Sequence, residues 1–222
     1  MSRPFLSALV LAAGSSRRFG QPKQLLPYHG TTLLGWVARQ AEASADLDEV
    51  LVVLGHAADG ILPSLALTRA RSVVAAEYAE GCAASYRAGL AAVSPCAHAV
   101  MILLGDQPGA GAEEIGRIAA SWRAEGGAIV AARYQGAPGH PLIFSRRLFP
   151  ELAELHGDKA AWKLLDQHPG LVRLVELGRP LPPDIDTPAD YTAVARSAPE
   201  SSGGSRPAAE GAAAPPSPPH EA

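Results

Sequence analysis

Phe5-Leu6-Ser7-Ala8-Leu9-Val10-Leu11-Ala12-Ala13-Gly14-Ser15-Ser16-Arg17-Arg18-Phe19-Gly20-Gln21-Pro22-Lys23 is an apolar run that breaks into small residues and then into cations. A short apolar run without alternation, closed by glycine, reads as a strand buried on both faces. Small side chains at 12–16 let backbone N–H groups approach a ligand closely, and Arg17, Arg18 and Lys23 can neutralise the oxygens of an anion held there. The first 41 residues carry five cations, three of them in this loop, and no acid. The expected ligand is a nucleoside triphosphate. Two neighbouring patterns fail. A Walker A loop places Lys-Ser/Thr after its second glycine, whereas Gln21-Pro22 follows Gly20. A dinucleotide fingerprint needs G-x-G-x-x-G and an acid about 20 residues on, whereas the first acid here is Glu42. Residues 1–14 also mimic a signal peptide, but their continuation into a cationic loop reads as a strand and its ligand loop.

Outward from this stretch, apolar runs bounded by Gly, Pro or Asp recur at Glu49–Leu54, Ser72–Ala75, Ala99–Leu104, Ala128–Ala132, Pro141–Phe144 and Leu171–Val175. Helical stripes lie between them: Leu33, Leu34, Val37, Ala38 and Ala41 after an N-cap at Thr31 or Thr32, and Ile115, Ile118, Ala119 and Trp122. The alternation predicts an α/β fold, a mostly parallel sheet with helices on both faces, and ligands beyond the carboxyl ends of its strands. The 222 residues, 47% of them hydrophobic, suit one domain over 1–196. Residues 197–222 are Ser, Gly, Pro, Ala and Glu without a large apolar side chain, and are expected to be a disordered tail. A net charge of −3 argues against a nucleic-acid partner held by phosphate neutralisation. Two cysteines, Cys82 and Cys96, cannot form a disulfide framework, and no apolar run reaches the ~18 residues of a membrane span. The expectation is a cytoplasmic protein with no membrane partner.

The run 99–104 ends in Gly105-Asp106-Gln107-Pro108. An Asp at a strand tip faces the ligand crevice and suits Mg²⁺, which takes one or two carboxylates plus phosphate oxygens. Asp184-Ile185-Asp186-Thr187-Pro188 is a second acidic cluster. If extended, it sets both acids on one face, and either could complete a metal site; Pro188 marks a helix start. Gly139-His140-Pro141 and Gly157-Asp158-Lys159 are weaker signals; a lone His before an apolar run is more often structural than catalytic.

Taken together, these stretches resemble the molybdenum cofactor nucleotidyltransferases, and most closely their cytidylyltransferase branch. The resemblance rests on Leu11–Gly20 with Lys23-Gln24-Leu25-Leu26-Pro27, Gly81 with Ser85 and Gly89-Leu90, Gly105–Pro108, Gly139-His140-Pro141 with Phe144, and Asp184–Pro188 with Asp190, in the family's order. It implies a Rossmann-like nucleotidyltransferase fold and Mg²⁺-dependent transfer of a nucleoside monophosphate from CTP, or GTP, to the terminal phosphate of molybdopterin. By position it implies that Ala12, Ala13, Gly14, Ser15, Ser16, Arg17, Arg18, Lys23, Ser85 and Asp106 contact the nucleotide. Lys23, Arg17 and Asp106 would serve catalysis, Asp106 and Asp186 would hold Mg²⁺, and His140, Asp158 and Lys159 would lie on the acceptor side. A molybdenum hydroxylase or its maturation factor is the implied protein partner. Where the family commonly reads Gly-Asp-x-Gly-Ala-Arg, this chain has Gly157-Asp158-Lys159-Ala160-Ala161-Trp162, which leaves the acceptor's identity open. The alternatives are a guanylyl- or other nucleotidyltransferase acting on another phosphorylated small molecule, and a non-catalytic carrier of cofactor to a molybdenum hydroxylase.

Overall fold

The computed structural model describes residues 3–155 and 160–197. The expectations for Asp158, Lys159 and the tail beyond 197 therefore lie outside the described residues. Seven strands form one sheet: β1 (Leu6–Ala12), β4 (Glu49–Leu54), β5 (Arg71–Val74), β6 (Ala99–Leu104), β7 (Ile129–Tyr134), β8 (Ala137–Ser145) and β9 (Val172–Glu176). A two-stranded ribbon, β2 (Pro27–Tyr28) and β3 (Thr31–Thr32), stands apart. The sheet order is β5-β4-β1-β6-β8-β7-β9. Each of the seven predicted apolar runs is a strand of it. The apparent leader segment is an interior strand of it, parallel to β4 and β6 on either side.

Alternate residues of β1 feed two cores. Leu6, Ala8, Val10 and Ala12 pack with α1 (Leu33–Ala43) and α4 (Ala112–Glu125) on one face. Leu9 packs on the other with α3 (Cys82–Ala92), α5 (Phe149–Glu154) and α6 (Ala160–Gln167). Both predicted helical stripes are buried, and the predicted cap is Thr32, whose side chain accepts from Gly35 N. One four-residue helix, α2 (Ala58–Ile61), precedes β5, and α7 (Pro188–Ser197) follows the acidic cluster, starting at the predicted proline.

The sequence reading of the run at 141–144 differs from the structure in extent and direction. β8 begins at Ala137 and runs antiparallel to both β6 and β7. A strand covered on both faces has the same continuous apolar signature in either direction, so periodicity does not distinguish them. His140 therefore lies inside a strand rather than before one, and is only 5% exposed.

Gly105 sits where β6 turns back against β1. A Cβ there would stand 2.9 Å from Ala12 Cβ and 3.1 Å from the Leu11 carbonyl oxygen, and backbone cannot yield as a flexible side chain does. Gly105→Ala is expected to cost about 1–3 kcal/mol, the range for overpacking, read as a lower Tm. A second prediction concerns acid. Burial pushes the His140 imidazole down to about 4, so the fold holds it neutral while an unfolded chain would protonate it near its ordinary value. Its contribution is complete above about pH 6.5 and is lost as pH falls toward about 4, to a total of about 3 kcal/mol. Denaturant midpoints measured across that window should fall less steeply for His140→Phe than for the native chain.

Candidate active site

Lys23 opens a short 3₁₀ turn at the end of the loop that follows β1. Its ammonium donates to Asp106 Oδ2 at 2.5 Å, to Asp186 Oδ1 at 2.9 Å and to the Ile185 carbonyl at 2.9 Å. These bonds use all three of its donors. Its side chain is 12% exposed. Burial favours the neutral amine, but the carboxylates of Asp106 and Asp186 outweigh it, and the pKa is raised.

The sequence left open whether Asp184 or Asp186 joins Asp106. Ile185 is fully buried and its N–H donates to the Asp106 carbonyl at 3.0 Å, fixing the segment to the tip of β6. Asp186 then meets Lys23 beside Asp106. Asp184 instead accepts from Gln107 Nε2 at 3.0 Å, and its pKa is raised by burial and by its neighbours Asp106 and Asp186. Asp190 caps α7: its Oδ2 accepts from the backbone N–H groups of Asp186 and Thr187. That bonding makes it a brace for the acidic cluster.

Two glutamines given no role in the sequence reading hold the loops. Gln24, 3% exposed, donates from Nε2 to the carbonyls of Ala12 and Gly14 at 2.8 and 3.0 Å and accepts from Ser16 Oγ. Ser16 Oγ in turn accepts from Lys23 N at 3.0 Å. The loop 12–24 is thus stapled from within. Gln107 likewise ties Pro182 and Asp184 to the tip of β6. A polar residue inside Lys23-Gln24-Leu25-Leu26 was the available signal for Gln24. A small third core of Leu26, Leu33, Ile185 and Val194, with Phe19, Tyr28 and Tyr191 packed on it, clamps the N-terminal loop to the C-terminal segment.

The remaining predicted residues are more dispersed. Ala13 and Ser15 are half-exposed in the loop, and a Cβ on Gly14 would meet nothing within 4 Å, so the loop borders open space. Arg18 lies 3.8 Å from Asp186 and is 71% exposed. Arg17 is exposed, with no hydrogen bond or ion pair among the described residues. Ser85 lies on the buried face of α3. His140 is not part of the Lys23 cluster and packs edge-to-face on Trp162, ring centroids 5.5 Å apart.

Two carboxylates from separate loops thus hold one positive charge at a strand tip, beside a loop open to an anion. This donor set fits a divalent cation bound through oxygen. Among the described residues no group of three or more His, Cys, Asp or Glu encloses a metal, so such an ion would fill its shell with phosphate oxygens and water, as Mg²⁺ does. No helix of the described residues is long and apolar enough to cross a membrane.

The chain is similar to several known proteins. The chain is 35% identical over 182 residues to the nicotine blue oxidoreductase of Paenarthrobacter nicotinovorans, covering 78% of this chain and 87% of that protein. It is 33% identical over 207 residues to the purine catabolism protein PucB of Bacillus subtilis, covering 88% and 98%. A crystal structure of Rv0371c from Mycobacterium tuberculosis H37Rv in complex with manganese is similar at a TM-score of 0.75 and 41% identity, over 87% of this chain and all of that one. The MobA-like NTP transferase domain model matches residues 8–172. That match runs from β1 to the first residue of β9 and takes in the loop, Lys23 and Asp106; the chain accordingly belongs to the MobA-like NTP transferase family and is a nucleotidyltransferase.

Proposed function

We propose that the protein transfers CMP from CTP to the terminal phosphate of molybdopterin, with Mg²⁺, releasing pyrophosphate. The observation that carries this reading is the Lys23–Asp106–Asp186 cluster beside the open loop 13–18. The sequence resemblance to the cytidylyltransferase branch supports the nucleotide and the acceptor. The manganese complex of a 41% identical chain supports a divalent cation.

Asp106 and Asp186 would hold Mg²⁺, which when bound supplies positive charge to the phosphate oxygens around the reacting centre. The triphosphate lies along the loop, its oxygens accepting from backbone N–H groups and from Arg17 and Arg18. Lys23 would exchange its carboxylate partners for phosphate oxygens as the nucleotide enters, leaving Asp106 and Asp186 free to hold the metal. An oxygen of the acceptor phosphate attacks the α-phosphorus, and the bond from that phosphorus to the oxygen bridging to the β-phosphate breaks. The acceptor is an anion near neutral pH, so no general base is required. Catalysis consists of positioning and charge stabilisation. Ala13 bears on the choice of base: its Cβ lies close to Gly55, where an added Cβ would be 2.7 Å from it and 2.6 Å from Tyr78 Cβ, so the wall there is tightly packed.

The 35% identity to a protein named an oxidoreductase favours one second reading, redox chemistry in the same fold, although the loop after β1 lacks the dinucleotide fingerprint.

The test is pyrophosphate release from each of the four nucleotides, with and without molybdopterin, beside an assay for NADH or NADPH oxidation. CTP-specific release that depends on acceptor and on Mg²⁺ is expected; dinucleotide oxidation without pyrophosphate would establish the second reading. Asp106→Ala and Asp186→Ala should each lower kcat about 10²-fold or more, with Asp184→Ala milder. Ala13→Gly should shift the ratio of kcat/KM for GTP to that for CTP upward, within the roughly 10–200-fold that one methyl group is worth in a packed pocket.

A further inference from the structure

Three carboxylates gather at the tip of β6, but the ammonium group among them touches two. Lys23 spends its three donors on Asp106, Asp186 and the Ile185 carbonyl and has none left for Asp184. The charges of Asp106 and Asp186 nonetheless bear on Asp184. Its Oδ1 is taken instead by Gln107 Nε2 at 3.0 Å, whose second hydrogen goes to the Pro182 carbonyl, also at 3.0 Å. Both partners are acceptors, which fixes the amide with its nitrogen toward the acidic segment. Although the three acids lie together, no three such groups among the described residues form a metal cage.

The backbone beside Asp184 is held by other means. Ile185 is fully buried and its N–H donates to the Asp106 carbonyl at 3.0 Å. Pro182 packs against Gly109, where an added Cβ would stand 2.5 Å from Pro182 Cβ. Asp184 is therefore anchored on either side, and the freedom left to it is the torsion of its own side chain, which Gln107 sets. Gln107, the neighbour of Asp106 in the chain, is only 5% exposed, so this donor does not swing away into solvent. An amide also differs from a cation in this place. It occupies a carboxylate oxygen without cancelling the carboxylate's charge, so Asp184 still draws cations to the strand tip while held apart from them.

Mg²⁺ keeps several waters and takes one or two carboxylates plus phosphate oxygens, whereas Ca²⁺ accepts about 6–8 oxygen ligands in flexible geometry. A third carboxylate would complete a site that binds a divalent ion without nucleotide and tilts toward the larger cation. We propose that Gln107 is a positioning residue that withholds Asp184 from the metal, so that the site offers two carboxylates and takes its divalent ion together with a triphosphate. This rests on the reading of Asp106 and Asp186 as the metal ligands of a nucleotidyl transfer, and adds what fixes their number and thereby the choice of ion.

The probe is Mn²⁺, whose free-ion paramagnetic signal is lost on binding, in a measurement that needs no turnover. Titration of the full chain without nucleotide is expected to show weak binding. Gln107→Met keeps the volume and removes the donor. It should tighten Mn²⁺ binding about tenfold or more, and Ca²⁺ should then compete better, relative to Mg²⁺, than it does on the native chain. Adding Asp184→Asn to Gln107→Met should return both quantities to their native values. A merely structural disturbance would weaken binding, and no substitution at 184 would reverse it. A second arm does not depend on whether Gln107→Met folds: on the native background, Asp184→Asn should weaken Mn²⁺ binding far less than Asp186→Asn. No gain in a folded Gln107→Met chain, a gain that survives Asp184→Asn, or equal losses from Asp184→Asn and Asp186→Asn overturns the proposal. The Gln107 effect in a chain that transfers no CMP would uphold the positioning role and overturn the transferase reading. CMP transfer without the Gln107 effect would do the reverse.

Discussion

One ammonium group holds the two ends of the domain together. Lys23 belongs to the loop after the first strand, Asp106 to the tip of a central strand, and Asp186 to the segment leading into the last helix. Without that charge, Asp106, Asp184 and Asp186 would face one another with only partial solvation; the pKa of Asp184 is already raised, first by burial and then by the repulsion of Asp106 and Asp186. The surrounding features serve the same arrangement. Gln24 fixes the loop that delivers the lysine, Gln107 and Asp190 fix the segment that delivers the acids, and Gly105 lets the tip of β6 lie close against β1.

Much of this was legible in the sequence, for identifiable reasons. Strands covered on both faces appear as continuous apolar runs, so the five interior members of the large sheet were visible as such, and the partly exposed edge strands β5 and β9 as shorter apolar runs between turn residues. The ribbon at 27–32 was not, because two-residue strands around His29 and Gly30 are too short to show a period. The first part of β8 was hidden by Ala137, Pro138, Gly139 and His140, none of which looks like strand interior. Asp106 could be found from its place at the end of an apolar run. The preference for Asp186 over Asp184 could not, since both alternate about Ile185 and only the contact with Lys23 separates them. Gln107 was overlooked because an amide that satisfies loop carbonyls has no signature distinct from one facing water, and Gln24 had only its place beside Leu25 and Leu26 to mark it.

The chemistry divides along the sheet. The side of the Lys23 cluster, at the tips of β1 and β6, is polar, stapled by buried amides and rich in charge. On the other side of β8 the surface turns apolar, with Trp162 and Leu174 half-covered and His140 neutral. The mixed strand order sets the two surfaces side by side, because the antiparallel β8 brings its starting residues to the end where the parallel strands finish.

The spacing of the clamp along the chain has a consequence for the order of assembly. Lys23 and Asp186 are 163 residues apart, and the small core of Leu26, Leu33, Ile185 and Val194 spans the same interval. During synthesis the sheet can pair from β1 through β7 before either of the last two core members leaves the ribosome. Until then the first loop has only Asp106 to bind its lysine, and its apolar residues lack a cover. The capacity to gather charge at the strand tips is therefore acquired last, so a nascent chain that already has its sheet does not yet present the finished cluster to the surrounding solution.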